Sequence, residues 1–138
     1  MDGYNSLEEL KKIVNHSETK RPSVGLRNRL GILLQHFALL RSESMIGLDF
    51  ADLFSVELPD EGITPCTAVI VIMRSGKTNQ FSNIEYGSFI RNKDVEICPV
   101  SALAQYLFHR FHCTNERFPD FTTNGSWYVE TLDEATCS

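Results

Sequence analysis

The sequence lacks the features that would place the chain in a membrane or mark it for secretion. No stretch approaches the roughly 18 uninterrupted apolar residues that a membrane-spanning helix requires. Residues 1–12 are polar and charged, so they do not have the character of a signal peptide. The four cysteines, Cys66, Cys98, Cys113 and Cys137, are scattered, and none forms a Cys-x-x-Cys pair. We therefore expect a soluble intracellular protein with reduced thiols.

The motifs of the common enzyme classes are also missing. Gly76-Lys77-Thr78 has no upstream glycine at the spacing of a phosphate-binding loop and precedes a predicted strand, which argues against nucleotide hydrolysis. No Ser/His/Asp set and no pair of carboxylates can be placed by spacing. His109, His112 and Cys113 supply only one spaced group of ligands, whereas zinc sites normally show two, so we expect no metal and no cofactor.

The composition is that of one folded domain with an uneven charge distribution. The chain has 138 residues, of which 42% are hydrophobic, enough for a sizeable core. Its net charge of -5 argues mildly against nucleic-acid binding. Residues 20–93 nevertheless carry nine Lys and Arg against seven Asp and Glu, while residues 1–19 carry two against four and residues 94–138 two against seven. An anionic partner is therefore favoured at the middle of the chain.

Helices are predicted by caps and by apolar spacing. Ser6-Leu7-Glu8-Glu9 has the spacing of a capping box and predicts a helix to about Val14. Pro22 predicts the start of a second helix. The apolar residues of that helix recur at steps of three and four, namely Leu26, Leu30, Leu33, Leu34, Phe37 and Leu40. Arg27 and Arg29 fall off this stripe, so we expect both to face solvent.

The remainder predicts a β-hairpin followed by a third helix. Met45–Phe54 suggests a bend that leads to a short helical turn. Thr67–Met73 is rich in β-branched residues and predicts a strand, followed by a tight turn at Ser75-Gly76 and a second strand from about Thr78 to Tyr86. The last helix is predicted over Val100 to about Phe111, and its inner face is predicted to carry Ala102, Leu103, Tyr106, Leu107, Arg110 and Phe111. The order α, α, β-hairpin, α indicates an α+β fold that is mainly helical.

Two separated segments could grip a phosphodiester from two sides. Arg41 is expected to close the second helix, with Glu43 two residues later, and Lys77 is expected in the hairpin turn. An arginine can bind a phosphate bidentately, and a lysine supplies a mobile point charge. Ordinary alternatives exist for each, because an arginine at a helix end interacts with the helix dipole and a lysine in a turn is often a solvated tip. For Arg41 alone, the ordinary alternative is favoured.

Other polar residues would extend this surface. Amide side chains donate to phosphates or base edges, and further cations would enlarge a positive patch. The complete set of candidate DNA contacts is Arg41, Lys77, Arg74, Asn79, Gln80, Arg91, Lys93, Arg27 and Arg29. For the last two, a solvated helix face is the better interpretation of each residue alone.

Several motifs in order resemble a known family. They are Gln35 to Ser44, Leu48 to Phe54, Gly76 to Gln80, Cys98 to Ala104 and Tyr106 to Phe111. Together they resemble domain 2 of the large centromere-DNA-binding subunit of the budding-yeast inner kinetochore. That family is tyrosine-recombinase-like and akin to the recombinases of fungal Crypton transposons. The resemblance covers about Arg27 to Trp127.

The resemblance implies a partial tyrosine-recombinase-like fold that binds duplex DNA in the nucleus without cutting it. Arg41 matches the first catalytic arginine of recombinases and Lys77 matches the hairpin lysine. Residues 128–138 contain no histidine and no arginine, so the downstream His-x-x-Arg pair is missing, and Tyr128 comes too early to be the nucleophile. We therefore expect a chain that is not an enzyme.

The resemblance also implies a domain organisation and leaves two other functions open. Residues 1–21 are expected to form an N-terminal helix and linker, and residues 22–138 a recombinase-like domain that is truncated at its C-terminus. One alternative is a protein-interaction module that kept the fold and lost DNA contact, with other subunits or a second copy as partners. The other is an inactive half of a recombinase or transposase. No membrane partner is expected.

Overall fold

In a computed structural model of the chain, the described residues are 6–17, 21–46, 48–73, 84–118 and 122. Within these ranges the fold comprises three long helices, one short helix and a three-stranded antiparallel sheet. The elements are α1 (Leu7–His16), α2 (Pro22–Phe37), α3 (Ser42–Ile46), β1 (Leu53–Leu58), β2 (Cys66–Met73), β3 (Glu85–Ile90) and α4 (Pro99–Phe108). The predicted α+β class is confirmed.

Helix α1 begins where the capping signal predicts. The Ser6 hydroxyl accepts a hydrogen bond from the Glu9 backbone N–H at 3.3 Å, which satisfies one of the free donors of the first turn. Leu10 and Val14, four residues apart, are fully buried and join the same core as Leu30 and Leu33 of α2. The division expected after residue 21 therefore separates two stretches that share one core.

Helix α2 starts at Pro22 as predicted but ends at Phe37, earlier than the apolar stripe suggests. Leu39 adopts a left-handed backbone with φ of 56°, which stops the helix, and Leu40 turns back into the core. The prediction that Arg41 closes this helix is therefore wrong. Arg41 instead follows a corner and precedes α3, where its carbonyl accepts a hydrogen bond from the Met45 N–H at 3.1 Å.

Strand β1 is absent from the sequence-based prediction. A 3₁₀ turn over Phe50–Asp52 confirms the short helical turn, with the side chain of Asp52 accepting from the Asp49 N–H at 3.2 Å. The chain then enters β1, whose residues pair with β2 from Leu53 opposite Val71 to Leu58 opposite Cys66. Phe54, Val56 and Leu58 alternate with Ser55 and Glu57, a pattern that favours a strand, although the middle of β1 is exposed. Pairing with a distant strand stabilises it.

The predicted hairpin exists, with a different register. Strands β2 and β3 are antiparallel, and Met73 lies opposite Glu85. A tight turn at Ser75-Gly76 would instead place Met73 opposite Thr78, so the predicted register is wrong. Ser75 and Gly76 themselves lie outside the described residues. The connection between the paired residues is 74–84, most of which lies outside the described residues, and β3 runs over Glu85–Ile90 rather than Thr78–Tyr86.

One face of the sheet packs on the helices, and no described helix packs on the other. Val71 and Phe89 are buried on the inner face, where α2 and α4 contact β3 and each other. The outer face is formed by residues whose side chains alternate with the inner set. It consists of Phe54, Val56, Leu58, Cys66, Ala68, Ile70, Ile72, Tyr86, Ser88 and Ile90. No residue of this outer face is charged.

Helix α4 buries Ala102, Tyr106 and, through its continuation, Arg110. The predicted helix over Val100–Phe111 is thus confirmed, but its last turn, His109–Cys113, is π-helical. Arg110 lies four residues after Tyr106 and therefore on the same buried face of the helix. Among the described residues, no helix is both long enough and apolar enough to cross a membrane.

Candidate nucleic-acid interface

Arg41 lies on the surface at the end of a rigid corner. The residues on either side of it are fixed, because Leu40 is buried and the Ser42 hydroxyl accepts a hydrogen bond from the Gln35 side-chain amide at 3.2 Å. Arg41 itself is exposed. Its charged group can therefore meet an anion in solvent while its backbone is held by the fold, an arrangement suited to binding a phosphate.

The corner that carries Arg41 is seated on strand β3. A Cβ atom added to Gly87 would lie 2.9 Å from the Ala38 carbonyl oxygen and 3.6 Å from the Leu40 Cδ2 atom. Only glycine permits this approach, since a Cβ that close to a backbone oxygen forces one of them to move. The same strand is entered from the 74–84 connection, so Arg41 lies near the strand that leads from Lys77.

Four candidate contacts fall in that connection. Arg74, Lys77, Asn79 and Gln80 lie outside the described residues. The two ends of the connection, Met73 and Glu85, are paired with each other. From Gly87 to the described end of the connection at Ile84 is three strand residues, or about 10 Å. The register therefore brings both ends of the connection to the neighbourhood of the Arg41 corner.

Arg91 and Lys93 follow the end of β3 that is opposite to Glu85. Both are exposed and line a groove with residues 61–65 of the connection between β1 and β2 and with the first two residues of β2. Glu61 lines this groove as well, so its charge is mixed. The length of strand β3 thus separates Arg91 and Lys93 from the paired residues Met73 and Glu85.

Lys11 forms an ion pair with Asp94 and so neutralises a carboxylate next to Lys93. The Lys11 Nζ atom lies 2.6 Å from a carboxylate oxygen of Asp94, the residue after Lys93. The hydrogen bond to Asp94 raises the pKa of Lys11 above its usual value, while burial opposes the rise. The same hydrogen bond lowers the pKa of Asp94. Both groups are therefore charged at neutral pH, and helix α1 is tied to the segment that carries Lys93.

The two arginines of α2 differ in their surroundings. Arg27 is exposed and lines a shallow pocket with Gln35 and Met45, so it lies on the same side of the molecule as the Arg41 corner. Arg29 is half-buried, and the prediction that it faces solvent is wrong. Its guanidinium donates to the carbonyl oxygens of Val95 and Glu96 at 3.0 and 3.1 Å and to the Gln105 side chain at 3.3 Å.

A buried arginine was not assigned a role by the sequence. Arg110 is 3% exposed, and its Nε and Nη2 atoms each donate to a carboxylate oxygen of Glu116 at 2.6 Å. The guanidinium also lies 5.5 Å from the ring centroids of Phe50 and Phe111. The helical spacing marked Arg110 as an inner-face residue, but nothing in the sequence identified Glu116 as its partner.

The ligand-type residues at the end of α4 do not form a metal site in the described part of the chain. No group of three His, Cys, Asp or Glu side chains is close enough to hold an ion among the residues searched. The His112 ring instead stacks on Phe108 with the centroids 4.9 Å apart. Cys98 caps α4. Burial raises the pKa of its thiol, but hydrogen bonds from Ser101 and from nearby backbone N–H groups outweigh that effect and lower it.

One comparison with known proteins identifies a relationship. A family model described as centromere DNA-binding protein complex CBF3 subunit, domain 2, matches residues 3–132. This range covers nearly all of the 138 residues. No curated protein and no solved structure matches the chain. The family inferred from the order of motifs is thereby confirmed.

Proposed function

We propose that this chain, which belongs to the family of centromere DNA-binding protein complex CBF3 subunit domain 2, binds duplex DNA in the nucleus without cutting it. The family description supports a DNA-binding role in a kinetochore complex. The single observation that carries the proposal is the placement of Arg41, an exposed arginine on a fixed corner that is seated on strand β3.

Arg41 and Lys77 form the proposed phosphate grip. The arginine offers a planar fork that stays charged at any physiological pH, and the lysine offers a compact charge on a flexible stem. Asn79 and Gln80 would donate to the backbone or to base edges, and Arg74 would add charge. Arg27, exposed on α2, would contact a neighbouring phosphate.

Arg91 and Lys93 form a second proposed contact on the same duplex. The six residues of β3 span about 20 Å, which corresponds to about six base pairs of B-form DNA. A duplex that runs along β3 would therefore meet both groups of cations about half a helical turn apart. Neutralisation of Asp94 by Lys11 favours this contact.

We also propose that the fold is recombinase-like and lacks strand-cleaving activity. Support comes from the residues that could complete such an active site. Arg110, which follows His109, is buried and bound by Glu116, so its guanidinium does not reach a phosphate in solvent. Of the described tyrosines, Tyr106 is buried and Tyr86 lies on the outer face of the sheet.

A salt-dependent titration tests the grip. A fluorescein-labelled duplex would be titrated with the chain and with Arg41→Ala plus Lys77→Ala at several salt concentrations. Removing two phosphate contacts should reduce the slope of log K against log salt by about two units and weaken binding at all salts. Lys12→Ala, an exposed cation on α1, is the matched control. Absence of binding at low salt, or identical titrations, would refute the proposal.

A nicked suicide duplex tests the absence of cleavage. An active recombinase would leave a covalent phosphotyrosyl adduct that persists in denaturing electrophoresis. We expect no adduct from the chain alone or with a tyrosine-bearing partner domain. An adduct that disappears in Arg41→Ala would show catalysis and overturn this part of the proposal.

The outer face of the sheet supports a second function, contact with another protein subunit. Phe54, Val56, Tyr86 and Ile90 are each at least 39% exposed there, and no charge is present to hold phosphate. An uncharged apolar surface fits an apolar protein surface, and the family description names a protein complex. Val56→Asn plus Tyr86→Asn, which add no charge, should abolish co-purification with co-expressed complex subunits and leave DNA titrations unchanged. Unaltered assembly would count against this role.

A further inference from the structure

We propose that Gly87 and Gln35 are positioning residues that hold Arg41 in the geometry of the phosphate grip. The inference rests on the proposed function. It adds which contacts keep the corner that carries Arg41 in place. Neither residue carries a charge, and neither needs to contact DNA. Each acts on the corner Ala38–Ser42, one from the sheet and one from helix α2.

Gly87 lets the corner pack directly on strand β3. It is buried in the middle of β3, opposite Val71, on the face that packs against the helices. Its missing side chain leaves the space in which the Ala38 carbonyl and the Leu40 side chain lie. With an alanine in its place, the added methyl would sit 2.9 Å from a backbone oxygen, so the corner itself would have to move. Arg41 follows Leu40 directly and would move with it.

Gln35 holds the corner from the side. Its amide nitrogen donates to the Ser42 hydroxyl at 3.2 Å, across the end of α2. Arg41 therefore lies between two tethered neighbours, Leu40 in the core and Ser42 on Gln35. The left-handed backbone of Leu39 sets the direction in which the corner leaves the helix. A displacement of about 1 Å is enough to weaken a well-oriented contact strongly.

A double-mutant cycle on DNA affinity tests the inference. Gly87→Ala, Arg41→Ala and the double variant would be titrated with a fluorescein-labelled mixed-sequence duplex at low salt. Because Gly87 acts through Arg41, Gly87→Ala should weaken binding about tenfold alone and less than about twofold when Arg41 is already alanine. Ser88→Ala, next along the strand on the outer face, is the control and should bind as the unaltered chain does.

The outcomes separate the inference from the function on which it rests. An equal loss from Gly87→Ala in both backgrounds, or no loss in a folded variant, would overturn the positioning role. Failure of the unaltered chain to bind, or no effect of Arg41→Ala, would overturn the phosphate grip instead. If circular dichroism shows that Gly87→Ala is unfolded, the cycle is run with Gln35→Ala, whose hydrogen bond is at the surface. An additive Gln35→Ala result would then reject the inference.

Discussion

Arg110 and Glu116 form a bidentate ion pair in the interior, with both nitrogen-to-oxygen distances at 2.6 Å. The pair joins the π-helical turn after α4 to the segment that follows it, and Phe50 packs on the guanidinium from the turn before β1. The Arg110 guanidinium thus joins the turn that contains Phe50 to the segment that contains Glu116. The pair explains why an arginine occupies the inner face of an apolar helix.

Breaking this pair should destabilise the fold strongly. Removing one partner leaves the other charge buried and unpaired, which costs about 3–5 kcal/mol for buried pairs. We expect a loss of this size in the free energy of unfolding, measured with urea, for Arg110→Met and for Glu116→Gln. The double variant Arg110→Met plus Glu116→Gln should lose less than the sum of the two. Strict additivity would show that the two side chains do not act as a pair.

Arg29 should contribute to stability rather than to DNA affinity. Its three hydrogen bonds join α2 to Val95, Glu96 and Gln105. Arg29→Met should lower the free energy of unfolding by about 1–3 kcal/mol because the acceptors lose their donor. The salt slope of DNA binding should stay unchanged. Arg27→Met is the matched comparison and should show a smaller salt slope.

The left-handed backbone of Leu39 should make the stability of the fold depend on which side chain stands at this position. Its side chain is 83% exposed, so substitutions there change little buried surface. At a φ of 56°, glycine is unstrained and a β-branched residue is strongly disfavoured. Leu39→Gly should change the free energy of unfolding by less than about 1 kcal/mol, whereas Leu39→Val should lower it by about 1–2 kcal/mol. Equal stability of the two variants would contradict the left-handed assignment.

The Lys11–Asp94 pair predicts a pH dependence with two limits. The folded pKa of Asp94 lies below the ordinary 3.8, so its contribution to stability is present above that value and is lost as the pH falls through the folded pKa. The folded pKa of Lys11 lies above 10.5, so its contribution is present below that value and is lost as the pH rises through the folded pKa. The difference in Tm between the chain and Asp94→Asn should be constant between these limits and shrink beyond them.

Salt provides a control for that pair. Both side chains are accessible to solvent, so their attraction should weaken as ionic strength rises. The Tm difference at neutral pH should therefore decrease with added sodium chloride. A difference that is independent of both pH and salt would mean that Asp94→Asn acts through the cap of the following 3₁₀ turn, where Asp94 accepts from the Glu96 N–H.

Local signals in the sequence predicted the helices well. The cap at Ser6, the start at Pro22 and the inner face of α4 depend on neighbouring residues, and all three are confirmed. The family followed from the order of motifs alone. The candidate cations were identified by residue type and spacing, but their positions relative to one another in the fold were not predicted. The sequence groups Arg91 and Lys93 with the cations of one hairpin, and the register of β2 and β3 adds that these two lie at the end of β3 opposite to Glu85.

The sequence alone determined the fold class, the family and the residue types able to bind phosphate, because caps, apolar spacing and charge act over a few residues. Tertiary structure decided what depends on distant partners. Strand β1 exists because it pairs with β2, Arg29 is occupied because Val95 and Glu96 approach it, and Arg110 is buried because Glu116 neutralises it. Arg41 is presented from a corner rather than a helix end because Leu39 reverses the chain and Gly87 leaves room for the return.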